Sequence, residues 1–294
     1  MNTDTITSIS VYSGTALVVG ALVWGGFFYK ANADLSTLVN AAEVRLRLAA
    51  SMPIKDKKGL PVAARANLLQ QARESLDAVE RIESNYAPAG ELRAFQHFLE
   101  GRYEESARAY AAARQMNECS DEMRENYALN EARMWRAAGR PVEAAAVLDT
   151  AREFRSAQRG QAQLERVMAL QEAGKSAEAK SLADAIAGDT GIDAMTRIEA
   201  GRCLERFGHW ESAELAYEVA RKEILEGTYA LARLKLVKGS TDKALDLLDE
   251  CFARDGGKAK SLVESDQADW QSVASEARFR RLMDSSSTAT PPGR

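Results

Sequence analysis

Gly208-His-Trp-Glu-Ser-Ala-Glu214 is a variant copy of Gly101-Arg-Tyr-Glu-Glu-Ser-Ala107. Each stretch opens on a glycine, places an aromatic residue two positions later and a small residue five positions later. Three more glycines fall in step with them. Gly101, Gly139, Gly174, Gly208 and Gly239 are separated by 38, 35, 34 and 31 residues. A repeat of that period implies one supersecondary unit used several times, because a single unit cannot bury its own apolar face.

The residues around each glycine say what the unit is. Five positions after it stand Ser106, Ala144, Ala179, Ala213 and Ala244; twelve after it stand Ala113, Ala151, Ile186, Ala220 and Cys251. Seven before it stand Ala94, Ala132, Val167, Gly201 and Ala232, so thirteen of the fifteen side chains are small. Positions +5 and +12 lie seven apart, on one face of a helix. Two helices crossing at short range need small residues there. The glycine closes the first helix in a left-handed conformation that satisfies its orphan carbonyls. At +9, Tyr110, Leu148, Tyr217 and Leu248 fill the space between helices, with Ala183 the exception.

This pattern resembles the tetratricopeptide repeat, a 34-residue antiparallel helix pair. The resemblance covers residues 87–253, five units, and is closest around Gly208, where Gly201, Leu204, Trp210, Ala213, Tyr217 and Ala220 match the family pattern. It departs at the opening of each first helix, where Gly90, Ala128, Gln163, Arg197 and Thr228 stand in place of a large apolar residue. The prolines that often end units are also missing. A different α-α repeat of similar period is the rival reading. The expected fold is all-α, an N-terminal transmembrane helix followed by a tetratricopeptide-like α-α superhelix.

The flanks extend the array. Gly59-Leu-Pro61-Val-Ala-Ala64 echoes Gly139-Arg-Pro141-Val-Glu-Ala144, so residues 34–86 read as a degenerate first helical pair around the basic loop Lys55-Asp-Lys57-Lys58. Residues 254–283 read as a C-terminal cap, with Trp270, Val273, Phe279 and Leu282 covering the last apolar face, as a repeat array requires. The Ser/Thr/Pro-rich tail 284–294 has the composition of a disordered segment.

Residues 1–33 read as a membrane anchor. The run from Thr5 to Tyr29 carries no charge, and 25 residues of helix reach about 37 Å against roughly 30 Å of bilayer hydrocarbon. Residues 9–29 form its apolar part, with Tyr12 near one end and Trp24, Phe27, Phe28 and Tyr29 near the other, where amphipathic rings favour the headgroup level. Two readings compete: a cleaved signal peptide, supported by Ala31-Asn32-Ala33 but opposed by the length of the apolar part and the absence of a basic leader, and a buried core helix. The pairs Ala16/Gly20 and Ala21/Gly25 share faces on which two spans can approach, an expectation of homo-oligomerisation. Lys30, Arg45 and Arg47 follow the span while no Lys or Arg precedes it, which favours a cytoplasmic repeat domain, with an anchor that carries an exported domain as the alternative. Three scattered cysteines, Cys119, Cys203 and Cys251, suggest no disulfide framework.

Composition narrows the chemistry. The net charge is −4, and no basic stripe or RNA-binding aromatic motif occurs, so nucleic acid is not an expected partner. Two histidines, His97 and His209, and cysteines without ligand-like spacing give neither a catalytic constellation nor a metal site. The five glycines stand alone at helix ends, not in a phosphate-binding loop. We therefore expect no enzyme, no cofactor and no metal.

The family resemblance implies that first helices line a concave surface. Projected there are Asn126, Asn130, Arg133, Arg202, Arg206 and Arg233, a set suited to an extended acidic segment or a terminal carboxylate, since Arg offers a bidentate fork. Pairing with Glu131, Glu199 and Glu205 is the bland alternative. Of the residues with which some family members clamp a terminal carboxylate, only Asn130 falls on a matching offset, so that activity is not implied. The expected function is a membrane-anchored scaffold or adaptor that binds a protein partner through the concave face of its repeats. The alternative is a structural accessory subunit of a larger membrane complex.

Overall fold

The computed structural model describes residues 22–55, 61–116, 119–155 and 157–285, with only the backbone described for 22–33 and 285. The greater part of the expected anchor, with Ala16, Gly20 and Ala21, lies outside the described residues, as do most of the basic loop and the 286–294 tail. Among the described residues no helix is long and apolar enough to cross a membrane.

Thirteen α-helices appear among the described residues: α1 (Leu22–Ser51), α2 (Ala63–Ile82), α3 (Ala87–Leu99), α4 (Tyr103–Arg114), α5 (Asp121–Ala137), α6 (Pro141–Val147), α7 (Arg159–Glu172), α8 (Ser176–Gly188), α9 (Ala194–Arg206), α10 (Trp210–Ala220), α11 (Leu225–Val237), α12 (Thr241–Ser265) and α13 (Ala277–Ser285). They fall into two compact units, residues 1–147 and 148–294. Each is built of consecutive helix pairs, α1/α2, α3/α4 and α5/α6 in the first, α7/α8, α9/α10 and α11/α12 in the second. The chain has an all-α, tetratricopeptide-like repeat fold.

The five repeated glycines are the five described glycines with positive φ, between 74° and 77°. Each closes its helix in one geometry. The amide after Gly101 donates to the His97 carbonyl at 2.9 Å, and the Gly101 amide donates to Phe98 at 2.9 Å. The same long bond runs from Arg140 to Trp135, Lys175 to Leu170, His209 to Leu204 and Ser240 to Lys235, at 2.8–2.9 Å. This is the Schellman closure, in which a left-handed residue lets two orphan carbonyls find donors.

The small residues sit where the two helices of a pair touch. All five at +5 are fully buried, as are Ala94, Ala132 and Ala232 at −7. In the first of these pairs the Ser106 hydroxyl donates to the Ala94 carbonyl at 2.7 Å, linking the two positions directly. Around Gly208 the bulk is inverted: a Cβ on Gly201 would stand 2.5 Å from Tyr217, whose ring occupies the space. The −11 position is also a close-packed one. A Cβ on Gly90 would stand 3.0 Å from the Ala113 Cβ; Arg197 at that offset is 1% exposed and pairs with Glu223.

In the first unit, α1 and α2 meet along a seam. Leu35, Val39, Ala42, Leu46 and Ala49 recur at alternating spacings of four and three and are buried, as are Leu69, Ala72, Leu76 and Val79 on α2. Burying each Leu or Val contributes on the order of 1.5–3 kcal/mol. Between α2 and α3, apolar contacts of Leu69, Ala72, Leu76 and Val79 with Ala89, Leu92, Phe95 and Leu99 are joined by a polar cluster. The Glu100 carboxylate accepts from Gln96 Nε2 at 2.9 Å, Arg73 Nη2 at 2.8 Å and Arg102 Nε at 2.8 Å. Burial pushes its pKa up, but these hydrogen bonds outweigh burial and hold it below the usual carboxylate range. A depressed folded-state pKa gives stability that is present above the unfolded-state value and lost as pH falls through the folded one. Glu100→Gln is therefore expected to cost about 2 kcal/mol at neutral pH. The gap to wild type should close as the pH drops below the normal glutamate range, a comparison that urea unfolding at a series of pH values makes directly.

In the second unit, first helices neighbour first helices, α7 with α9 and α9 with α11, while α8 neighbours α10. The Asp193 side chain caps α9, accepting from the Thr196 amide at 2.9 Å. Asp255 interrupts α12 with extended backbone (φ −158°, ψ 93°), and its carboxylate accepts from the Lys258 amide at 2.9 Å, restarting the helix. Beyond it Trp270, Val273 and Phe279 are buried against Tyr229, Leu248 and Cys251.

One pair departs from the period. Although Ala151 is buried like the other residues at +12, α6 stops at Val147 and Ala151 lies in a separate 3₁₀ turn. The Asp149 carboxylate is taken by Arg166 of α7.

Candidate partner-binding faces

The first helices share four recurring offsets from the closing glycine, −13, −9, −6 and −2, which are not equally exposed on every helix: at −9, Glu165 of α7 and Ala230 of α11 are buried. These spacings of four, three and four place them on one stripe of a helix. On α9 the stripe is Met195, Glu199, Arg202 and Arg206. Met195 is 44% exposed, Arg206 is exposed, and Arg202 is half-exposed with its Nη1 2.6 Å from Glu199. On α5 it is Asn126, Asn130, Arg133 and Ala137, the two asparagines half-buried and Arg133 exposed. On α3 it is Pro88, Leu92, Phe95 and Leu99.

Arg233 on α11 belongs to a different arrangement. Its side chain is 19% exposed, with Nη2 2.9 Å from Glu205 and Nη1 3.2 Å from Asp269. The Tyr217 hydroxyl donates to the same Glu205. Burial and the Glu205 charge raise the Tyr217 pKa, so the phenol keeps its proton. This chain of contacts ties α10, α9, α11 and the segment after α12 together. Of the arginines singled out by offset, Arg202 and Arg233 thus both meet glutamates, and Arg233 is also held by an aspartate 36 residues away that the repeat does not predict.

The first unit contains a groove whose α1 wall and Glu91 are not indicated by sequence spacing. Val39 of α1, Leu92 and Phe95 of α3, and Tyr110 of α4 line a cavity of about 410 Å³, with Glu91 at its side. On the α1 rim Glu43 and Arg47 form an ion pair at 2.7 Å. Glu91 accepts instead from a neutral hydroxyl, Tyr127 Oη at 3.1 Å. Tyr110 and Tyr127 stand ring to ring, 6.1 Å between centroids. Burial, then the Glu91 carboxylate, push the Tyr110 hydroxyl up to about 12. Glu91 could have been noticed in sequence only as a carboxylate one position before a stripe residue; its groove depends on α1, some fifty residues earlier.

Among the described residues no group of three or more His, Cys, Asp or Glu could hold a metal ion. The three cysteines are free and buried. Burial raises the Cys251 thiol to about 12, which keeps it protonated. His97 has a buried Nδ1 without a hydrogen-bond partner, and burial, with Arg102 next, lowers its pKa.

No family model matches the chain, and no curated protein matches it. Among solved structures it is similar to PilF of Pseudomonas aeruginosa, with 14% identity and a TM-score of 0.46 over 78% of this chain and 99% of that one. It is similar to PilW, a widely conserved type IV pilus biogenesis factor, with 14% identity and a TM-score of 0.44 over 72% of this chain and 92% of that one. It is also similar to a chain of the APC/C hetero-tetramer Cut9-Hcn1, with 14% identity and a TM-score of 0.39 over 86% of this chain and 48% of that one. Similarities of this strength say nothing about what this chain binds.

Proposed function

We propose that the chain is a helical-repeat scaffold that binds a protein partner along the exposed stripes of its first helices and is held at a membrane by residues 9–29. The observation that carries this reading is the α9 stripe, an exposed methionine followed at one-turn intervals by Glu199, Arg202 and Arg206. An adaptable thioether beside guanidinium forks suits an extended segment with an apolar residue near a carboxylate. Asn126, Asn130 and Arg133 offer the same mix of amide and guanidinium donors on α5. Arg233 is assigned a lesser share, because a partner carboxylate there has to compete with Glu205 and Asp269.

The uncharged run Thr5–Tyr29, with Lys30, Arg45 and Arg47 on its C-terminal side and neither Lys nor Arg among residues 1–4, supports a single-pass anchor with the repeats on the cytoplasmic side. Pairing of spans through Ala16/Gly20 or Ala21/Gly25 is the corresponding route to a homo-oligomer.

Reversing charge at three stripe positions, Arg133→Glu with Arg202→Glu and Arg206→Glu, is expected to reduce partner capture at least tenfold, read by crosslinking in intact membranes followed by mass spectrometry. These side chains are exposed or half-exposed, so helicity and thermal stability should stay near wild type. Undiminished capture by the folded variant removes the stripes as the binding surface. Deleting residues 1–33 should release the chain from membranes without unfolding the repeats; continued sedimentation with washed membranes argues against the anchor.

A further inference from the structure

We infer that the groove between α1, α3 and α4 receives a Lys or Arg side chain from an extended segment of the protein partner. This deepens the scaffold reading and rests on it. Three features of the groove point to a cation with an apolar stem. Its walls are Val39 and Leu92, surfaces along which the methylenes of Lys or Arg pack while the charged head stays polar. Phe95 and Tyr110 add aromatic rings, whose faces attract ammonium and guanidinium groups. Glu91 supplies the carboxylate. It accepts from the neutral Tyr127 hydroxyl, which leaves its negative charge uncompensated by that contact, whereas Glu43 at the rim is already neutralised by Arg47.

The charges nearest the groove can be set against one another. Glu43 and Arg47 cancel, so Glu91 decides the sign of the lining. Arg133 on α5 does not line the groove, but its charge is felt at the Tyr110 hydroxyl. It opposes a cation bound against that ring. The volume, about 410 Å³, lies in the range of sites that enclose small organic groups. The groove also continues the α3 stripe, since Leu92 and Phe95 sit at the −9 and −6 offsets. A segment lying along the first helices can therefore drop one long side chain into it.

The test uses the full chain in mild detergent and three fluorescein-labelled pentapeptide amides of sequence Gly-Leu-X-Leu-Gly, with X as Arg, citrulline or Glu. Citrulline keeps the shape of Arg without its charge. Wild type is expected to bind the Arg peptide at least tenfold more tightly than the citrulline peptide, and the Glu peptide least. Glu91→Gln should abolish the Arg-over-citrulline preference while retaining the melting temperature, because the amide oxygen can still accept from Tyr127. Arg133→Gln should strengthen Arg-peptide binding. Equal binding of the Arg and citrulline peptides, no detectable binding of either, or a preference that survives Glu91→Gln overturns the proposal. The two readings fail separately. Partner capture that depends on Arg202 and Arg206 while the peptides bind alike sinks the groove alone, and an intact peptide preference with capture indifferent to those arginines sinks the stripes alone.

Discussion

Gly227→Ala is expected to destabilise the second unit by about 3 kcal/mol or more, toward or beyond the upper end of what added bulk costs in a packed interior. A Cβ at Gly227 would stand 2.3 Å from the Arg221 nitrogen, 2.5 Å from the Ala220 carbonyl carbon and 2.7 Å from the Arg221 Cα. All three are main-chain atoms, so no rotamer change relieves the clash. Either α11 moves away or the end of α10 opens. The second course sacrifices the bonds from the Arg221 amide to Tyr217 at 2.8 Å and from the Ile224 amide to Ala220 at 3.0 Å. It also disturbs Glu223, the partner of the buried Arg197. Gly208→Ala is the matched comparison. Gly208 has φ +76° and open space where its Cβ would go, so alanine there meets only the backbone cost of a left-handed residue, about 1–2 kcal/mol. Urea unfolding of both variants, followed by far-UV circular dichroism, separates the two mechanisms. If Gly227→Ala is no worse than Gly208→Ala, the approach of α11 to the end of α10 is looser than described.

Gly227 also marks the limit of what the repeat could reveal. The five helix-closing glycines were legible because the same demand recurs: a left-handed residue, a small contact at +5 and another at −7. Position −12, where Gly227 stands, is Ala89, Tyr127, Ala162 and Thr196 in the other pairs. No pattern could single it out, since the constraint comes from one short connection between α10 and α11. The same reason hides the Glu91 groove, whose other wall is supplied by α1. Arg233 shows the converse. Its offset matched that of Arg133 and Arg202, and the sequence offered Glu205 as a neighbour, but the Asp269 contact comes from a segment after the repeats with no periodic relation to it. Recurrent contacts are written in the period, whereas contacts made once are not. The end of α6 at Val147, before its period is complete, belongs to the second kind.

Trp270→Ala is expected to be the most damaging change at the C-terminal end, at about 4 kcal/mol, within the range for emptying a buried aromatic site. Trp270 is 1% exposed, and its ring lies 5.9 Å from the rings of both Tyr229 and Phe279. Its Nε1 donates to the Tyr229 hydroxyl at 3.0 Å, a hydroxyl that also lies 3.0 Å from the Leu262 carbonyl and 3.1 Å from Asp266. Alanine leaves a void between α11, α12 and α13 and removes one hydrogen-bond partner from a buried phenol. Besides the ring of Trp270, α13 is held by Phe279, Leu282 and Met283 packed against the same cluster, and by the Arg278 pairs with Asp246 and Asp249 and the bond from Lys260 Nζ to the Met283 carbonyl, which are partly exposed and individually weak. The loss should therefore appear first as local opening, since arrays of repeats unfold from elements with few neighbours. Hydrogen exchange on the purified chain is expected to show α13 and the second half of α12 losing protection in Trp270→Ala, with α11 following as denaturant is added. Trp270→Phe keeps most of the ring packing and gives up the indole N–H, so it should cost about 1 kcal/mol. Protection of α13 that is unchanged in Trp270→Ala would mean that Phe279, Leu282 and the Arg278 pairs suffice, and that the indole only fills space the cap does not need.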